Sequence, residues 1–475
     1  MTTTATTSTA TTTTGTTTTA TTTPGTAPTP VPAAATLAAA LTPTPPRATG
    51  AAATMAKLLA PLFAGELPIR LRAWDGTEAG PAGAPVAIIR RRALRRLLWN
   101  PGELGLAQAY ITGDIDVEGD LADGLRRVWA IARTRGVTAA KPNPALLAKA
   151  AATGLQLGAV GLRPKVPASQ AKLTGRLHSP FRDRQAISHH YDLSNAFYQL
   201  ILDPQMAYSC GYWTSDSPGY TLEDAQRDKL DLVCRKIGLE PGMRFLDVGC
   251  GWGSLSIHAA QHYGAQVVGV TLSREQQAFV QQRVRELGLE DRVEIRLQDY
   301  RDVADGPYDA IASLEMGEHV GAENYPTYTA GLHRLVKPHG RVLIQQMSRG
   351  LTNPGGGPFI EAYIAPDMHM RPVGRTVDMI EAAGLEVRNV EGMREHYVRT
   401  VDAWYRTFEQ RYDEVVAMVG EQVARVWRLY LVGGALSFEE GRMGVDQILA
   451  VRRADDGTSA MPATRDQLLA SRSGA

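Results

Sequence analysis

The sequence predicts an α/β fold: a doubly wound, mostly parallel sheet with helices on both faces. Two observations lead to this prediction. After residue 176, short apolar segments alternate with amphipathic helical segments, the pattern of successive βαβ units. The first strand, in MRFLDVGCGWGS (243–254), runs directly into a glycine-rich turn, as strands of ligand-binding parallel sheets do.

The remaining elements follow at regular intervals. A helix is expected over 222–238, because Thr221 and Asp224 form a capping-box pattern at its start and Gly238 suits its end. A further helix is expected directly after the glycine turn. Beyond it, the predicted elements are strands over 265–273, 292–300, 308–320 and 340–348 and helices over 273–287 and near 325–337.

The chain upstream of this sheet divides into three parts. Residues 1–54 are mostly Thr, Ala and Pro with nothing large to bury, so a disordered tail is expected. Residues 55–135 are predicted to form a smaller α+β domain, in which 84–121 supplies a strand, a basic helix and a loop rich in Gly and Asp. Residues 136–175 contain several prolines and are predicted to be a linker with one helical stretch, so that the main domain spans 176–475.

The basic helix of the smaller domain carries arginines at 90, 91, 92, 95 and 96. Such a cluster suits contact with anionic lipid headgroups. It equally suits a solvated helix face. The sequence leaves both interpretations open.

Composition excludes several classes of protein. The 50 basic residues are balanced by 49 acidic residues, so no nucleic-acid partner is predicted. The 3 cysteines are scattered and form no Cys-x-x-Cys pair, which predicts neither a disulfide framework nor a metal site. The longest apolar stretch, 144–162, is broken by Lys149 and Gln156 and does not predict a membrane span. We therefore expect a cytoplasmic protein.

The glycine turn predicts a nucleoside ligand. Gly249, Gly251 and Gly253 let the backbone approach a ligand closely after the first strand, with Asp247 just before them. The spacing is G-x-G-x-G and not the G-x-G-x-x-G of dinucleotide sites. A second strand ends in Asp299 and Tyr300, a carboxylate and an aromatic ring suited to an adenine amine and ring. This pattern favours S-adenosylmethionine over a dinucleotide, and with it a Rossmann-like sheet of the class I methyltransferase kind.

One position departs from that pattern. The second strand of such sheets usually ends in an acid that binds ribose, whereas here it ends in Thr271. Gln276 is the candidate replacement for that hydrogen bond. Ser273 and Gln276 also form a capping-box pattern, so a purely structural role for Gln276 stays open.

Several ordered motifs resemble the cyclopropane-fatty-acyl-phospholipid synthase family. The resemblance covers roughly 180–450, with a weaker echo at 84–121. Its six motifs are ISHHYDLSNAFYQLILDPQMAYSCGYW (187–213), LEDAQRDKLDLVCRKIGLEPGMRFLDVGCGWGS (222–254), VVGVTLSREQQ (267–277), LQDYRDV (297–303), MGEHVGAENYPTY (316–328) and DAWYRTFEQ (402–410). It implies methyl transfer from S-adenosylmethionine to the double bond of an unsaturated acyl chain, usually in a phospholipid. It also implies a protein peripheral at the inner face of the cell membrane, with docking or dimerisation through 55–135.

The resemblance also implies the residues of the site. The residues that it places around S-adenosylmethionine are Tyr208, Ser209, Asp247, Gly249, Cys250, Gly251, Trp252, Gly253, Thr271, Leu272, Gln276, Asp299 and Tyr300. It matches Cys210, Glu318 and Tyr397 to positions that hold a bicarbonate ion, the bound base of the reaction, and adds His319 beside Glu318. Each of these side chains also has a plain packing interpretation. Methyl transfer to a double bond leaves a carbocation on the acyl chain, and aromatic rings can stabilise it. The candidate rings are those of Tyr191, Tyr208, Trp213 and Tyr397.

The strand RVLIQQMS (341–348) raises a separate question, because successive side chains of a strand face opposite sides of the sheet. Gln345 stands where the family usually has a histidine that orients bicarbonate, and an amide cannot take up a proton near neutral pH. Bicarbonate then sits differently, binds weakly or is absent. We expect Gln345 to line the reaction pocket and a slower base to allow a hydride shift before proton loss. Gln346 is expected to be structural.

This hypothesis favours a methylene-branched product over a cyclopropane. The stretches SLEMGEHVGAENYP, LIQQMSRG and REHYVRT also resemble the actinomycete branch of the family that makes 10-methylene stearoyl lipids, precursors of tuberculostearate. A reductase partner would saturate such a product. The alternatives are a cyclopropane synthase, a small-molecule methyltransferase and a non-catalytic lipid-binding protein. The last is suggested by Gln345 and by Gly434, where the family commonly has a cysteine.

Overall fold

The structure is a computed structural model, and it describes residues 50–63, 65–134, 144–171, 175, 178, 182, 194–351 and 355–470. The predicted disordered tail therefore lies almost wholly outside the described residues, as do Tyr191 and part of the predicted linker. None of the helices in the described ranges is long and apolar enough to span a bilayer.

The main sheet has seven strands: β5 (Arg244–Val248), β6 (Gln266–Thr271), β7 (Val293–Leu297), β8 (Tyr308–Leu314), β9 (Val336–Arg349), β10 (Glu386–Gly392) and β11 (Met443–Val451). Their order is β10-β11-β9-β8-β5-β6-β7. The pairs β5–β6, β5–β8, β6–β7 and β8–β9 are parallel, and β11 runs antiparallel to both of its neighbours. The predicted mostly parallel, doubly wound sheet is confirmed.

Helices cover both faces of this sheet. Numbered after the helices of the smaller domain, they are α6 (Asn195–Ile201), α7 (Leu222–Ile237), α8 (Ser254–Tyr263), α9 (Arg274–Glu286), α10 (Tyr325–Leu335), α11 (Pro358–Tyr363), α12 (Val373–Ala382), α13 (Arg394–Gln410), α14 (Tyr412–Val419), α15 (Glu421–Glu439) and α16 (Arg465–Leu469). One face of the sheet packs against α7, α8 and α9, and the other packs against α10 and α12. Aromatic side chains of α6, α11, α13 and α15 form a third apolar cluster together with Trp252 of the glycine turn.

Local sequence signals explain where several elements begin and end. Helix α7 starts with the predicted capping box between Thr221 and Asp224, and it ends at Gly238, whose φ is 67°. The strand predicted over 308–320 is shorter than expected. It ends at Leu314 and is followed by a 3₁₀ turn, Gly317–His319, because Glu315 adopts a positive φ that breaks the extended backbone.

The smaller domain holds a four-stranded sheet in the order β2-β1-β3-β4. Its elements are α1 (Ala51–Leu59), β1 (Arg70–Ala73), β2 (Glu78–Ala79), β3 (Val86–Ile89), α2 (Arg91–Trp99), α3 (Glu103–Ile111), β4 (Ile115–Glu118), α4 (Leu121–Thr134) and α5 (Pro144–Gln156). The loop predicted after the basic helix is wrong, since this segment forms α3 and β4. Helix α3 packs against α15 and α11 of the main sheet's helical layer. The domain boundaries remain predictions.

The arginines of α2 are not equivalent. Arg96 is buried and pairs with Asp114 at 3.3 Å, and Arg95 donates from Nε to the carbonyl of Ala159 at 3.3 Å. Arg92 pairs with Asp114 at 3.1 Å but keeps most of its surface exposed. Part of the basic cluster therefore holds the domain together, and the remainder faces solvent.

Candidate active site

A cleft opens at the carboxyl edge of the main sheet, where β5, β6, β7 and β8 end. Of the predicted cofactor residues, those that line it are Tyr208, Ser209, Asp247, Gly249, Cys250, Gly251, Trp252, Thr271, Leu272, Gln276, Asp299 and Tyr300. Gly253 is set back from the cleft. A Cβ added there would lie 2.5 Å from Cγ1 of Val280, so this glycine lets α8 and α9 approach each other.

The glycine turn requires glycine at its first position. Gly249 has φ 79°, and a Cβ there would lie 2.8 Å from Cγ of Met316. The amides of Gly249 and Cys250 both donate to the carbonyl of Val270 at 3.0 Å, which ties the turn to β6. The backbone therefore stays close to the sheet edge and leaves the cleft open for a ligand.

Asp247 supplies a carboxyl group to the cleft. It is buried, and its Oδ2 accepts a hydrogen bond from Ser256 Oγ at 2.7 Å. Burial raises the pKa of Asp247 to about 6, against the lowering effects of Ser256 and Lys229. Lys229 was not predicted as a site residue. It is fully buried, and its Nζ donates to Oγ of Ser209 at 2.9 Å.

The ends of β6 and β7 carry the polar groups expected for a nucleoside. Oγ1 of Thr271 donates to Oε1 of Gln276 at 2.7 Å. Ser273 caps α9 as predicted, since its side chain accepts a hydrogen bond from the backbone amide of Gln276. The side chain of Gln276 does not complete the capping box and instead turns toward Thr271 and the cleft. Asp299 is held by the guanidinium of Arg301, at 2.8 Å from Nε and 2.6 Å from Nη2. Sequence analysis missed this arginine, which also lines the cleft.

These groups fit S-adenosylmethionine. The cleft offers a carboxyl group for an ammonium or sulfonium cation, a close glycine backbone for the amino acid portion, and an aromatic ring beside an acid for adenine. In the described chain no cluster of three or more His, Cys, Asp or Glu could hold a metal ion.

Two carboxyl groups follow β8, and the one that lines the cleft is Glu315 rather than Glu318. Glu315 follows the last residue of β8 and lines the cleft. Its Oε1 accepts from the backbone amide of Cys210 at 2.7 Å and from Nε2 of Gln345 at 2.9 Å. Its Oε2 accepts from the hydroxyl of Tyr397 at 2.5 Å. Three of the predicted catalytic residues thus converge on a carboxylate that sequence analysis did not single out.

Glu318 and His319 lie one turn further along the chain. Glu318 is buried, and within the described residues neither of its carboxyl oxygens has a hydrogen-bond partner. Burial and the neighbouring Glu315 raise the pKa of Glu318 well above its usual value. His319 lines the cleft, and burial lowers its pKa to about 4, so the imidazole is neutral. Burial also keeps Cys210 a thiol by raising its pKa.

The two adjacent glutamines face opposite sides of β9. Gln346 accepts from the hydroxyl of Tyr325 at 2.7 Å and donates to Oγ1 of Thr376 at 3.0 Å, which is the structural role predicted for it. Gln345 is fully buried and lies behind Glu315. It stands directly opposite Gln447 of β11, whose Nε2 donates to Oε1 of Gln345 at 2.9 Å.

Aromatic side chains cluster beside the cleft on the side of Glu315. The ring of Tyr208 lies 5.3 Å from that of Trp404 and 6.3 Å from that of Trp252. The ring of Tyr397 lies 6.1 Å from that of Trp404. Trp213 is placed differently, since the guanidinium of Arg399 already stacks on it at 4.5 Å. Among the described candidates, Tyr208 and Tyr397 are therefore the rings near the carboxylate.

Comparison with known proteins identifies the family. A family model described as mycolic acid cyclopropane synthetase matches residues 178–448. The chain belongs to this family. The "Probable fatty acid methyltransferase" of Pseudomonas putida is 36% identical over 426 residues, which are 87% of this chain and 99% of the relative. Tuberculostearic acid methyltransferase UfaA1 of Mycobacterium tuberculosis is 35% identical over 415 residues, 84% of this chain and 91% of the relative.

A solved structure extends the comparison to the fold. Mycolic acid cyclopropane synthase CmaA1, crystallised with SAH and CTAB, is 33% identical and has a TM-score of 0.53. The match covers 56% of this chain and 97% of that chain. The resemblance seen in the sequence is thus confirmed, and the fold is that of a class I S-adenosylmethionine-dependent methyltransferase.

Within this cyclopropane synthetase family member, sequence analysis missed residues of two kinds. Lys229 and Gln447 lie inside regular elements, and only their burial beside the site distinguishes them. Glu315 directly follows β8, and Arg301 lies shortly after the end of β7. Such positions at the carboxyl ends of strands are typical of functional side chains in parallel sheets. That signal was applied to Asp299 but not to Glu315.

Proposed function

We propose that the protein adds a methyl carbon to the double bond of an unsaturated, oleoyl-like phospholipid acyl chain, giving a 10-methylene branched chain. The observation that supports this most directly is the junction of the two parts of the site. The cleft suited to S-adenosylmethionine has the carboxylate of Glu315 in its wall and borders an apolar cluster rich in aromatic rings. An alkene is a weak nucleophile, so its methylation needs a dry, aligned pocket and a proton acceptor.

The residues of the chain divide this work. S-adenosylmethionine, when bound, supplies an electrophilic methyl group. Asp247 and the glycine turn would hold its amino acid portion, and the β6 and β7 ends would hold the nucleoside. The rings of Tyr208 and Tyr397, which both contact Trp404, would stabilise the positive charge that methylation leaves on the acyl chain. Burial excludes water, which would otherwise trap that charge.

The lipid must reach this pocket from a membrane, and the smaller domain offers a suitable surface. Leu155, Val160, Leu162 and Val166 are 68%, 51%, 89% and 48% exposed, and we call them the apolar ridge. The ridge is attached to the basic helix α2, because Nε1 of Trp99 donates to the carbonyl of Gly161 at 2.9 Å. Exposed apolar side chains beside arginines favour an anionic phospholipid surface, with peripheral attachment at the inner face of the cell membrane.

The product is proposed from the position of Gln345. In the family pattern a histidine at this position helps to orient a bicarbonate base. Gln345 offers only hydrogen bonds and is committed to Glu315 and Gln447. A base reached more slowly gives the cation time for a hydride shift, after which loss of a proton from the added methyl leaves an exocyclic methylene. A reductase would then be needed to saturate it.

The decisive experiment is lipid extraction from cells expressing the protein, followed by proton NMR of the acyl chains. Exocyclic vinyl signals are expected, and upfield ring protons would instead identify a cyclopropane synthase. Mass alone does not separate the two, because the isomers have equal mass. In a Gln345→His variant the ratio should move toward the ring, with Gln346→His on the opposite face of β9 as the matched control.

The same experiment separates the other candidates. Unmodified oleoyl chains together with turnover of S-adenosylmethionine on another acceptor would indicate a small-molecule methyltransferase. Retention of the cofactor without S-adenosylhomocysteine formation on unsaturated phospholipid would indicate a non-catalytic lipid-binding protein.

A further inference from the structure

Glu315 is held in a backbone conformation that points to a function. Its φ is 51°, in the left-handed region that non-glycine residues seldom adopt. Such a conformation costs about 1–3 kcal/mol and persists only where the surroundings impose it. Here it turns the chain sharply after β8 and directs the carboxylate at the wall of the cofactor cleft.

The surroundings of Glu315 are those that the family resemblance implies for bicarbonate. Cys210 contributes its backbone amide and Tyr397 its hydroxyl, and Gln345 occupies the position of the orienting histidine. The anion that all three contact is the side chain of Glu315. A carboxylate has the shape and charge of bicarbonate, so the chain itself fills the place of that ion.

A chain of hydrogen bonds fixes the direction in which Gln345 donates. Nζ of Lys236 donates to Oε1 of Gln447 at 2.7 Å, and an ammonium group can only donate. The Gln447 oxygen therefore faces Lys236, and its nitrogen donates to Oε1 of Gln345. The nitrogen of Gln345 must then face Glu315. Lys236 is itself held by Glu391 at 2.6 Å.

Glu315 and Glu318 differ in the hydrogen bonds that they receive, and this difference gives them different protonation states. Burial raises the pKa of both groups. Glu315 receives three hydrogen bonds to its oxygens, which stabilise the ionised form. Glu318 receives none within the described chain, so of the two it is the group that holds a proton. Glu315 is the carboxylate free to accept one.

We propose that the carboxylate of Glu315 is the general base of the reaction and takes the place of an exogenous bicarbonate ion. This inference rests on the proposed function. In the step, a C–H bond of the methyl carbon gained by the acyl chain breaks, and the proton goes to an oxygen of Glu315. The electron pair of that bond forms the exocyclic double bond, or the third side of a ring, and cancels the positive charge. The step needs no oxidant or reductant.

The first test compares the unsubstituted protein with and without bicarbonate. Full-length protein is assayed on vesicles of oleoyl phosphatidylglycerol in buffer stripped of carbon dioxide, and again with added bicarbonate. The same rate in both is expected. A rate that falls at least tenfold on stripping would overturn the inference and leave the proposed function intact. No methylated lipid under either condition would refute the proposed function and the inference with it.

Two variants test the residue itself. Glu315→Gln keeps the shape and should lower the rate at least 100-fold, with binding of S-adenosylhomocysteine, measured by titration calorimetry, unchanged. Glu315→Gly suits the positive φ, so the chain should fold, and it leaves room for a small anion. It should be inactive in stripped buffer and partly restored by bicarbonate or formate. Full activity of either variant in stripped buffer would overturn the inference. Asp309→Asn, at the far end of β8, is the matched control and should keep its rate.

Gln447 acts through Gln345 and is a positioning residue. A Gln447→Leu variant leaves Oε1 of Gln345 without its donor and frees the amide to rotate. The carboxylate of Glu315 then loses a donor, its pKa rises, and the acid limb of the pH–rate profile should move to higher pH. An unchanged acid limb with a uniformly lower rate would indicate that Gln447 has a merely structural role. It would contradict the proposal that Gln447 acts on Glu315 through Gln345.

Discussion

Replacing Glu318 by glutamine should stabilise the protein at neutral pH, and the gain should grow as the pH rises. Glu318 is buried beside Glu315 without a hydrogen-bond partner in the described chain, and this environment raises the pKa of its carboxyl group well above its usual value. The unfolded chain releases that proton near pH 4.5. Folding at neutral pH must therefore take up a proton from solvent, and this uptake opposes folding.

The magnitude follows from the difference between the two states. A glutamate whose folded-state pKa is raised contributes its full stability below the unfolded pKa, and this contribution is lost as the pH rises toward the folded value. The loss is about 1.4 kcal/mol per pH unit between the two pKa values, so with an unfolded value of 4.5 it is at most about 3.5 kcal/mol at pH 7. Glutamine has the same shape, and its unpartnered amide replaces an unpartnered neutral acid, so the remaining terms nearly cancel.

Urea unfolding of the two proteins between pH 5 and pH 8 measures this difference. The gain in unfolding free energy for Glu318→Gln should be below about 1 kcal/mol at pH 5 and should rise with pH to at most about 3.5 kcal/mol at pH 7. Asp309→Asn is the control of opposite sign. Burial opposes the shift, but the hydrogen bonds from Lys337 and the amide of Arg244 lower the pKa of Asp309. A gain for Glu318→Gln that does not change with pH would refute a protonated Glu318.

Three further predictions concern the cleft and the smaller domain. Gly249→Ala should abolish binding of S-adenosylhomocysteine in calorimetry, because the added Cβ would meet Met316 at 2.8 Å and φ is 79°. Affinity for S-adenosylmethionine, whose net charge is positive, should fall as the pH drops through about 6, where Asp247 becomes protonated and loses its charge. In Asp247→Asn this pH dependence should disappear, and a persisting dependence would assign it to another group. Leu162→Asp should weaken binding to phosphatidylglycerol vesicles, measured by sedimentation, at least tenfold without changing cofactor affinity. Unchanged sedimentation would show that the apolar ridge does not bind the membrane.

Much of the main sheet could be predicted because local signals agreed with the overall pattern. The capping residues Thr221 and Asp224 and the final Gly238 gave the bounds of α7 to within one residue. The alternation of side chains along β9 separated a structural Gln346 from a Gln345 beside the site. In both cases the deciding physics acts between residues that are close in sequence.

The errors arose where distant contacts override local preference. The segment after the basic helix is rich in Gly and Asp and was predicted as a loop, yet α3 forms because its buried face packs against α15 and α11. Glu315 was not singled out, because nothing local indicated that it would be turned inward. The reason for that turn is tertiary. Cys210, Gln345 and Tyr397 come from three distant parts of the chain, and their meeting point cannot be read from spacing.

Met316 joins the loop that carries Glu315 to the turn that carries Gly249. Its Cβ and Cγ fill the space where a side chain on Gly249 would lie, and Glu315 is the preceding residue. A displacement of one loop is thus transmitted to the other through a direct van der Waals contact. Under the proposed function, the position of the methyl donor at the glycine turn and that of the proton acceptor Glu315 are therefore set by the same side chain.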